Sequence, residues 1–358
     1  MEKVAPFSEK GGETMKRWAI VPILAAAAVL AGCRREAPAG RPLMIQLNWL
    51  HDPTFAGEYL LADASRGRVQ IHEGGPNIFP LEEVRSGRAD FAVVGADVFL
   101  RAISESPSVG ADGELVCFFV DFQRNPVGWV MHPEAARRAG LTKAKAATPA
   151  ELNRWLFDQL TRKLVRVGDK RGTETTSVWL QWKKIHKAGD SLTVEPVGFD
   201  NAIVLTAPLL AYPVYLNEEP FRLAARVGQP LVVFDPAADG IELYGNVLVA
   251  TRRLAKANPE ELGNIQRDLR SAWQRVKNDP VDAAQRVAAV YTGVERGVVE
   301  EQVAKTLEFV FFQNVLPGTM DLGDRGRWMK TLLSMQESGL VDPAVTLERL
   351  RKHLVPPA

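Results

Sequence analysis

The sequence predicts an α/β fold of two lobes followed by a helical C-terminal region, and three observations lead to it. Short apolar runs alternate with helical patterns from Pro42 to Thr251, the pattern turns helical beyond Asn258, and no repeat of fixed period occurs. The length, 358 residues at 46% hydrophobic, allows a large core and about two domains.

Taken in order, Leu43 to Asn48 reads as a first strand, and Phe55 to Ala64 as a helix after a turn at Asp52-Pro53. Leu81 to Ser86 is a short helix stopped by Gly87, and Phe91 to Val94 is the next strand. Gly95-Ala96-Asp97 opens a further helix, with Asp97 expected as its N-cap. Leu115 to Val120 and Val127 to Met131 are buried-strand patterns separated by the polar stretch Asp121 to Pro126. A helix over Leu152 to Leu164, a strand at Val165 to Val167 and a helix over Thr175 to Ala188 follow. Strands then read at Thr193–Val197, Ala211–Leu216, Leu231–Phe234 and Val247–Thr251. Five helical patterns close the chain: Pro259–Asn278, Val281–Tyr291, Glu295–Phe312, Gly326–Ser338 and Thr346–His353.

Composition removes several function classes. Lys+Arg at 44 against Asp+Glu at 43 gives no basic excess, so nucleic acid is not an expected partner. Two cysteines, Cys33 and Cys117, and five dispersed His leave no metal-ligand spacing, and neither metal nor cofactor is expected. Cys117, within Leu-Val-Cys-Phe-Phe-Val, reads as a buried thiol.

The first 33 residues form an addressing segment. Met15-Lys16-Arg17 is a short positive start, and Trp18 to Gly32 runs fifteen residues without a charge, below the roughly 20 that a membrane-spanning helix needs. The run ends Leu30-Ala31-Gly32-Cys33, which resembles a bacterial lipobox. That resemblance implies a signal peptide over 1–32, with Met15 as an alternative start, and a lipid on Cys33 that tethers the chain to a membrane. Residues 34–41 are a short polar, Pro/Gly-containing leash, and Arg34 is not the Asp that retains some lipoproteins in an inner membrane. The mature chain balances at 40 basic against 40 acidic residues, because the first 32 residues hold four of the former and three of the latter.

An ordered set of motifs carries a further resemblance. It begins with Leu47-Asn48-Trp49-Leu50-His51-Asp52-Pro53-Thr54-Phe55-Ala56-Gly57-Glu58-Tyr59 and continues with Gly74-Gly75-Pro76, Ser86 to Phe91 and Gly95-Ala96-Asp97. Phe122-Gln123-Arg124-Asn125-Pro126, Tyr215 to Pro220, Asp239-Gly240-Ile241 and Tyr244-Gly245-Asn246 follow in the same order. The set resembles the solute-binding proteins of ABC importers in the thiamine-precursor, pyrimidine synthase-like family, whose relatives bind riboflavin, sulfonates, taurine or nitrate. The resemblance implies a type II periplasmic-binding-protein fold, with lobe 1 over 42–127 plus 233–358 and lobe 2 over 128–232 around a cleft. It also implies a small-molecule solute and a membrane permease with its ATPase as partners.

The chain departs from that pattern in three places. Asp63 to Gln70 replaces the usual longer stretch after the first helix, and His51, Asp52 and Phe55 stand where Pro, Asn and His are common. The cysteine-rich motif of the fungal pyrimidine-making enzyme is absent, so no enzymatic activity is expected.

Positions following strands supply the candidate site, because ligands in open α/β sheets sit beyond the strands' carboxyl ends. Asn48 and Trp49, Asp97, Gln123 and Asn125, and Gly168 to Thr173 all fall there. Trp49, Phe55, Tyr215 and Tyr244 are the stacking candidates for a flat heteroaromatic solute. Glu219 is a candidate acceptor for an exocyclic amine, with Asp97 and Asn125 orienting the ring. Thr173, near a helix start beside Gly172, is the candidate for holding a sulfonate or phosphate instead. The expected function is capture of a small heteroaromatic vitamin precursor, such as a thiamine pyrimidine or a riboflavin-like compound, with a sulfonate or other small anion as the alternative.

Overall fold

The computed structural model describes residues 40–106, 114–142, 147–189, 192 and 194–357. The expected signal peptide, Cys33 and most of the leash lie outside the described residues.

The first half of the chain contributes β1 (Leu43–Gln46), α1 (Ala56–Ala64), β2 (Val69–His72), α2 (Pro80–Arg85), β3 (Phe91–Gly95), α3 (Ala96–Glu105) and β4 (Leu115–Val120). Next come β5 (Val127–Met131), α4 (Pro133–Arg138), α5 (Pro149–Thr161), β6 (Arg166–Asp169), α6 (Glu174–Ile185), β7 (Val194–Pro196), β8 (Leu210–Tyr215), α7 (Glu219–Val227) and β9 (Val232–Phe234). After β10 (Asn246–Thr251) come α8 (Arg252–Ala257), α9 (Pro259–Asn278), α10 (Pro280–Val290), α11 (Arg296–Val310), α12 (Arg327–Glu337) and α13 (Leu347–Arg351).

The strands form two five-stranded mixed sheets, ordered β2-β1-β3-β10-β4 and β7-β6-β8-β5-β9. In each sheet one strand runs antiparallel to both neighbours: β10 between β3 and β4, and β5 between β8 and β9. Both are the strands that receive the chain after it crosses from the other sheet, through residues 121–126 into β5 and through 235–245 into β10. The other four strands of each sheet are mutually parallel, so their carboxyl ends open on one side.

The continuous apolar runs have a direct cause. Side chains alternate across a pleated strand, and both faces of the first sheet are covered. Phe91 and Val93 enter one core with Leu248 and Ala250, while Ala92 and Val94 enter the opposite core with Val247 and Val249. The first core is roofed by α1, α9, α10 and α11 and continues into Tyr212, Val214 and Leu223 of the second sheet's side. The second is closed by α3, α12 and the C-terminal segment. A third core, around Trp129, Phe157, Trp179 and Trp182, fills the other face of the second sheet. Truncating such a buried Trp costs about 3–5 kcal/mol.

Several helices open on proline, including α2, α4, α5, α9 and α10, because the first helical position needs no N–H and suits the fixed proline φ. One capping expectation is corrected: Gly95 is the N-cap of α3 and Asp97 lies inside its first turn. Four elements were not anticipated: the short edge strand β2, which begins at the end of the stretch read as a substitute after the first helix, and the helices α4, α7 and α8. Cys117 is a buried free thiol in β4, and burial pushes it above its ordinary range.

Candidate functional site

The two crossing segments lie against one another between the sheets. The Asn125 N–H donates to the Leu243 carbonyl at 2.7 Å, and the Gly245 N–H donates to the Phe122 carbonyl at 3.1 Å. Arg124 pairs with Asp235 of the other crossing at 2.9 Å, its guanidinium 4.4 Å from the Phe309 ring centre. A Cβ on Gly245 would sit 2.9 Å from the Phe122 Cβ and 3.2 Å from the Arg124 carbonyl, so glycine there allows the segments to touch.

At the carboxyl end of β6, Thr173 caps α6 by accepting the Thr175 N–H, and its hydroxyl donates to the Lys170 carbonyl at 2.7 Å. Glu174, the first residue of that helix, reaches the facing lobe. Its Oε2 accepts a 2.7 Å bond from the Asn125 side-chain amide, and its Oε1 accepts the Tyr215 hydroxyl. The Asn125 Oδ1 accepts the Val127 N–H at 2.8 Å, which fixes which end of the amide points at Glu174.

Asp97 faces Glu174 from α3. A Cβ on Gly95 would collide with the Asp97 carboxylate and stand 3.4 Å from Glu174 Oε1. Neither Asp97 oxygen accepts a well-aligned hydrogen bond from a described residue, and the nearest cation, Arg101, stands at 3.5 Å. Burial, and then the Asp97 charge, push the Glu174 carboxyl up to about 8. Burial also raises Asp97, against the pull of Arg101.

A pair of aromatic rings lies near Lys170, whose charge also acts on Glu174. Trp49, after β1, packs on Phe199 of the segment between β7 and the turn at 201–206, with ring centres 5.1 Å apart. Lys170 Nζ stands 5.7 Å from the Phe199 ring and 5.3 Å from that of Tyr212, and is paired with Glu219 at 3.1 Å. The Trp49 loop is pinned by Gly74, whose N–H donates to the Trp49 carbonyl at 2.8 Å. A Cβ on Gly74 would lie 2.6 Å from the Trp49 nitrogen, so the contact requires glycine.

Of the residues singled out in the sequence, Trp49, Asp97, Asn125, Thr173, Tyr215 and Glu219 come to this region, some in roles other than those expected. Thr173 serves as a helix cap, and Glu219 is engaged by Lys170 and by the Tyr215 N–H. Asn48 ends the same loop, with its Oδ1 buried and without a donor among the described residues. Three others are corrected. Phe55 is 1% exposed and packs edge-on to Tyr59 in the core of the first lobe. Tyr244 packs on Trp328 at 5.0 Å, its hydroxyl accepting the Asp321 N–H, so it is no stacking platform. Gln123 is fully buried and donates to the Val120 and Thr319 carbonyls.

Glu174 and Phe199 were not anticipated as site residues, and Lys170, inside the candidate stretch Gly168 to Thr173, was given no role of its own. For Glu174 the available signal was its place directly after a strand-to-helix turn.

A groove of about 550 Å³ on the outer side of the first lobe is lined by His51, Tyr59 and residues of α1 and α10. Its charges are mutually engaged, Arg286 bonding both Asp63 and Asp282 at 2.8 Å.

Comparison with solved structures identifies the fold. A Candida albicans protein described as having the generic periplasmic-binding-protein fold superposes with a TM-score of 0.56 at 12% identity, covering 88% of this chain and 96% of that one. This chain has the periplasmic-binding-protein fold. The periplasmic aliphatic sulphonate-binding protein of Escherichia coli is similar at 15% identity and a TM-score of 0.57, covering 89% of this chain and 93% of that one. The periplasmic nitrate-binding protein of Synechocystis gives 11% identity and a TM-score of 0.57, with 89% and 87% covered. Residues 186–283 match the NMT1/THI5-like family model. No curated protein sequence matches the chain. Among the described residues, no helix is long and apolar enough to cross a membrane.

Proposed function

We propose that this protein is the extracytoplasmic solute-binding component of an ABC importer, capturing a small heteroaromatic vitamin precursor between its lobes. Lobe 1 comprises 42–127 plus 233–358 and lobe 2 comprises 128–232. Removal of residues 1–32 leaves Cys33 as the lipidated anchor, and the closed, loaded form is what the permease and its ATPase read. No bond-making chemistry is required, since differential affinity for the closed form suffices.

The observation that carries the reading is the approach of two buried carboxyls, Asp97 and Glu174, to Gly95, with the Trp49–Phe199 ring pair linked to them through Lys170. Two carboxyls accept hydrogen bonds from an amine or ring N–H, and charge-assisted bonds of this kind are about twice as strong as neutral ones. The aromatic rings supply π faces worth about 1–3 kcal/mol per stacked base.

An anionic solute is the second reading, favoured by the sulphonate and nitrate named for the neighbouring structures. It is disfavoured at this cleft because the anion would be desolvated against two acids while Lys170 is held by Glu219. Tryptophan-fluorescence titration of the stripped protein with an aminopyrimidine, riboflavin and taurine tests the choice. The expected result is saturation by one of the heterocycles and none by taurine; saturation by taurine alone would contradict it.

A further inference from the structure

The acid contact that carries the solute reading has a second consequence. Asp97 and Glu174 are 5% and 7% exposed, and they come from helices of opposite lobes to one backbone point at Gly95. The groups facing them can be named element by element. From the first crossing, Asn125 donates to Glu174, and from the end of β8 so does Tyr215. From α3, Arg101 reaches Asp97 at 3.5 Å. From the loop after β6, Lys170 is drawn to Glu219 of α7 at 3.1 Å. Glu174 therefore has two neutral donors and feels the Arg101 and Lys170 charges as weaker pulls than its burial and the Asp97 charge, while Asp97 has one cation at 3.5 Å. Like charges at such range in a water-poor cleft repel strongly unless one is neutralised.

We infer that closure of this cleft is proton-linked: a proton taken up by the Asp97–Glu174 pair lets the lobes meet when no solute is present. On loading, the solute's cationic or N–H-donating edge takes the proton's place. Only this second step rests on the solute-binding function.

The sign follows from linkage. With the cleft open, water reaches both carboxyls and they titrate in the ordinary range, whereas in the closed form Glu174 is raised to about 8 by burial and Asp97. The closed form thus binds the extra proton. Closure is most favoured below the ordinary carboxyl range, weakens about tenfold per pH unit up to about 8, and levels off above.

Small-angle scattering of the solute-free protein at pH 6 and pH 9.5, with circular dichroism confirming the fold at each, tests the inference. The wild-type chain is expected to have a smaller radius of gyration at pH 6, and Glu174→Gln to show the same radius at both. Asp97→Asn serves equally if Glu174→Gln does not fold. An unchanged wild-type radius, or an expansion retained in a folded neutral variant, would overturn the proposal. A chain that compacts with acid but binds no heterocycle would contradict the solute reading alone, and a heterocycle binder of pH-independent shape would contradict the proton linkage alone.

Discussion

The Asn125 side-chain amide donates a 2.7 Å hydrogen bond to the carboxylate of Glu174, tying the first crossing between the sheets to the helix that opens the second lobe's half of the cleft. Because the other end of that amide is held by the Val127 N–H, the donor cannot be turned away without losing a second bond. Hydrogen bonds to charged groups are worth about 1.5–3 kcal/mol. Asn125→Ala is expected to weaken solute binding by roughly ten- to a hundredfold on that scale. Calorimetric titration reads the change, and an affinity within twofold of the parent would contradict the role.

Trp49 and Phe199 meet at 5.1 Å from opposite lobes. Replacing either ring by alanine is expected to cost about 1–3 kcal/mol of solute affinity, with little change in melting temperature for the exposed Phe199. Trp49→Phe is expected to retain most of the binding. Equilibrium titration alongside thermal melts separates these outcomes from general destabilisation.

Gly245 permits the two crossings to touch. Gly245→Ala would drive a Cβ against Phe122 and the Arg124 carbonyl, both within 3.2 Å. The expected result is a destabilisation of about 1–3 kcal/mol in denaturant titration, the usual range for overpacking, together with weakened binding because the crossings are displaced. A variant as stable as the parent would show that the crossings separate freely.

Glu58 and Asp121 are a second buried acid pair, inside the first lobe, with Trp273 donating to Asp121 at 2.8 Å. Burial, then Asp121, hold Glu58 well above its ordinary range, and burial lifts Asp121 to about 6. Both shifts are upward, so the stability they confer is complete below the unfolded-chain values near 4, and the part from Asp121 is lost as pH rises through about 6. Unfolding free energy should fall by on the order of 3 kcal/mol across that window through Asp121, with Glu58 adding to the fall. Urea titrations at pH 4, 5, 6 and 7 check it, and the slope should flatten in Glu58→Gln.

The sequence made much of this scaffold readable because buried parallel strands leave continuous apolar runs such as Leu115 to Val120, and proline-led helices announce their first residues. The edge strand β2 escaped because, although Val69 and Ile71 alternate with Gln70 and His72, four residues beside a turn are too short a run to stand out. Trp49, Asp97 and Asn125 were legible as candidates because each follows a strand, and strand ends are where clefts form. Glu174 was not, since an acidic residue after a capping threonine is the ordinary start of a helix, and only the facing lobe gives it another meaning. Phe199 lies between Gly198 and Asp200 without periodicity. Conversely, Phe55 and Tyr244 follow turns as a stacking residue might, and it is burial by Tyr59 and Trp328 that withdraws them from the cleft.

The central claim is that this cleft holds a nitrogen heterocycle between Asp97, Glu174 and the Trp49–Phe199 ring pair. The most direct test is the ultraviolet-visible spectrum and mass of whatever is released when natively purified protein is denatured. The account predicts a stoichiometric heteroaromatic compound bearing an amine or ring N–H, with a pyrimidine band or visible flavin absorption. Release of a chromophore-free sulfonate or other anion in its place would contradict it.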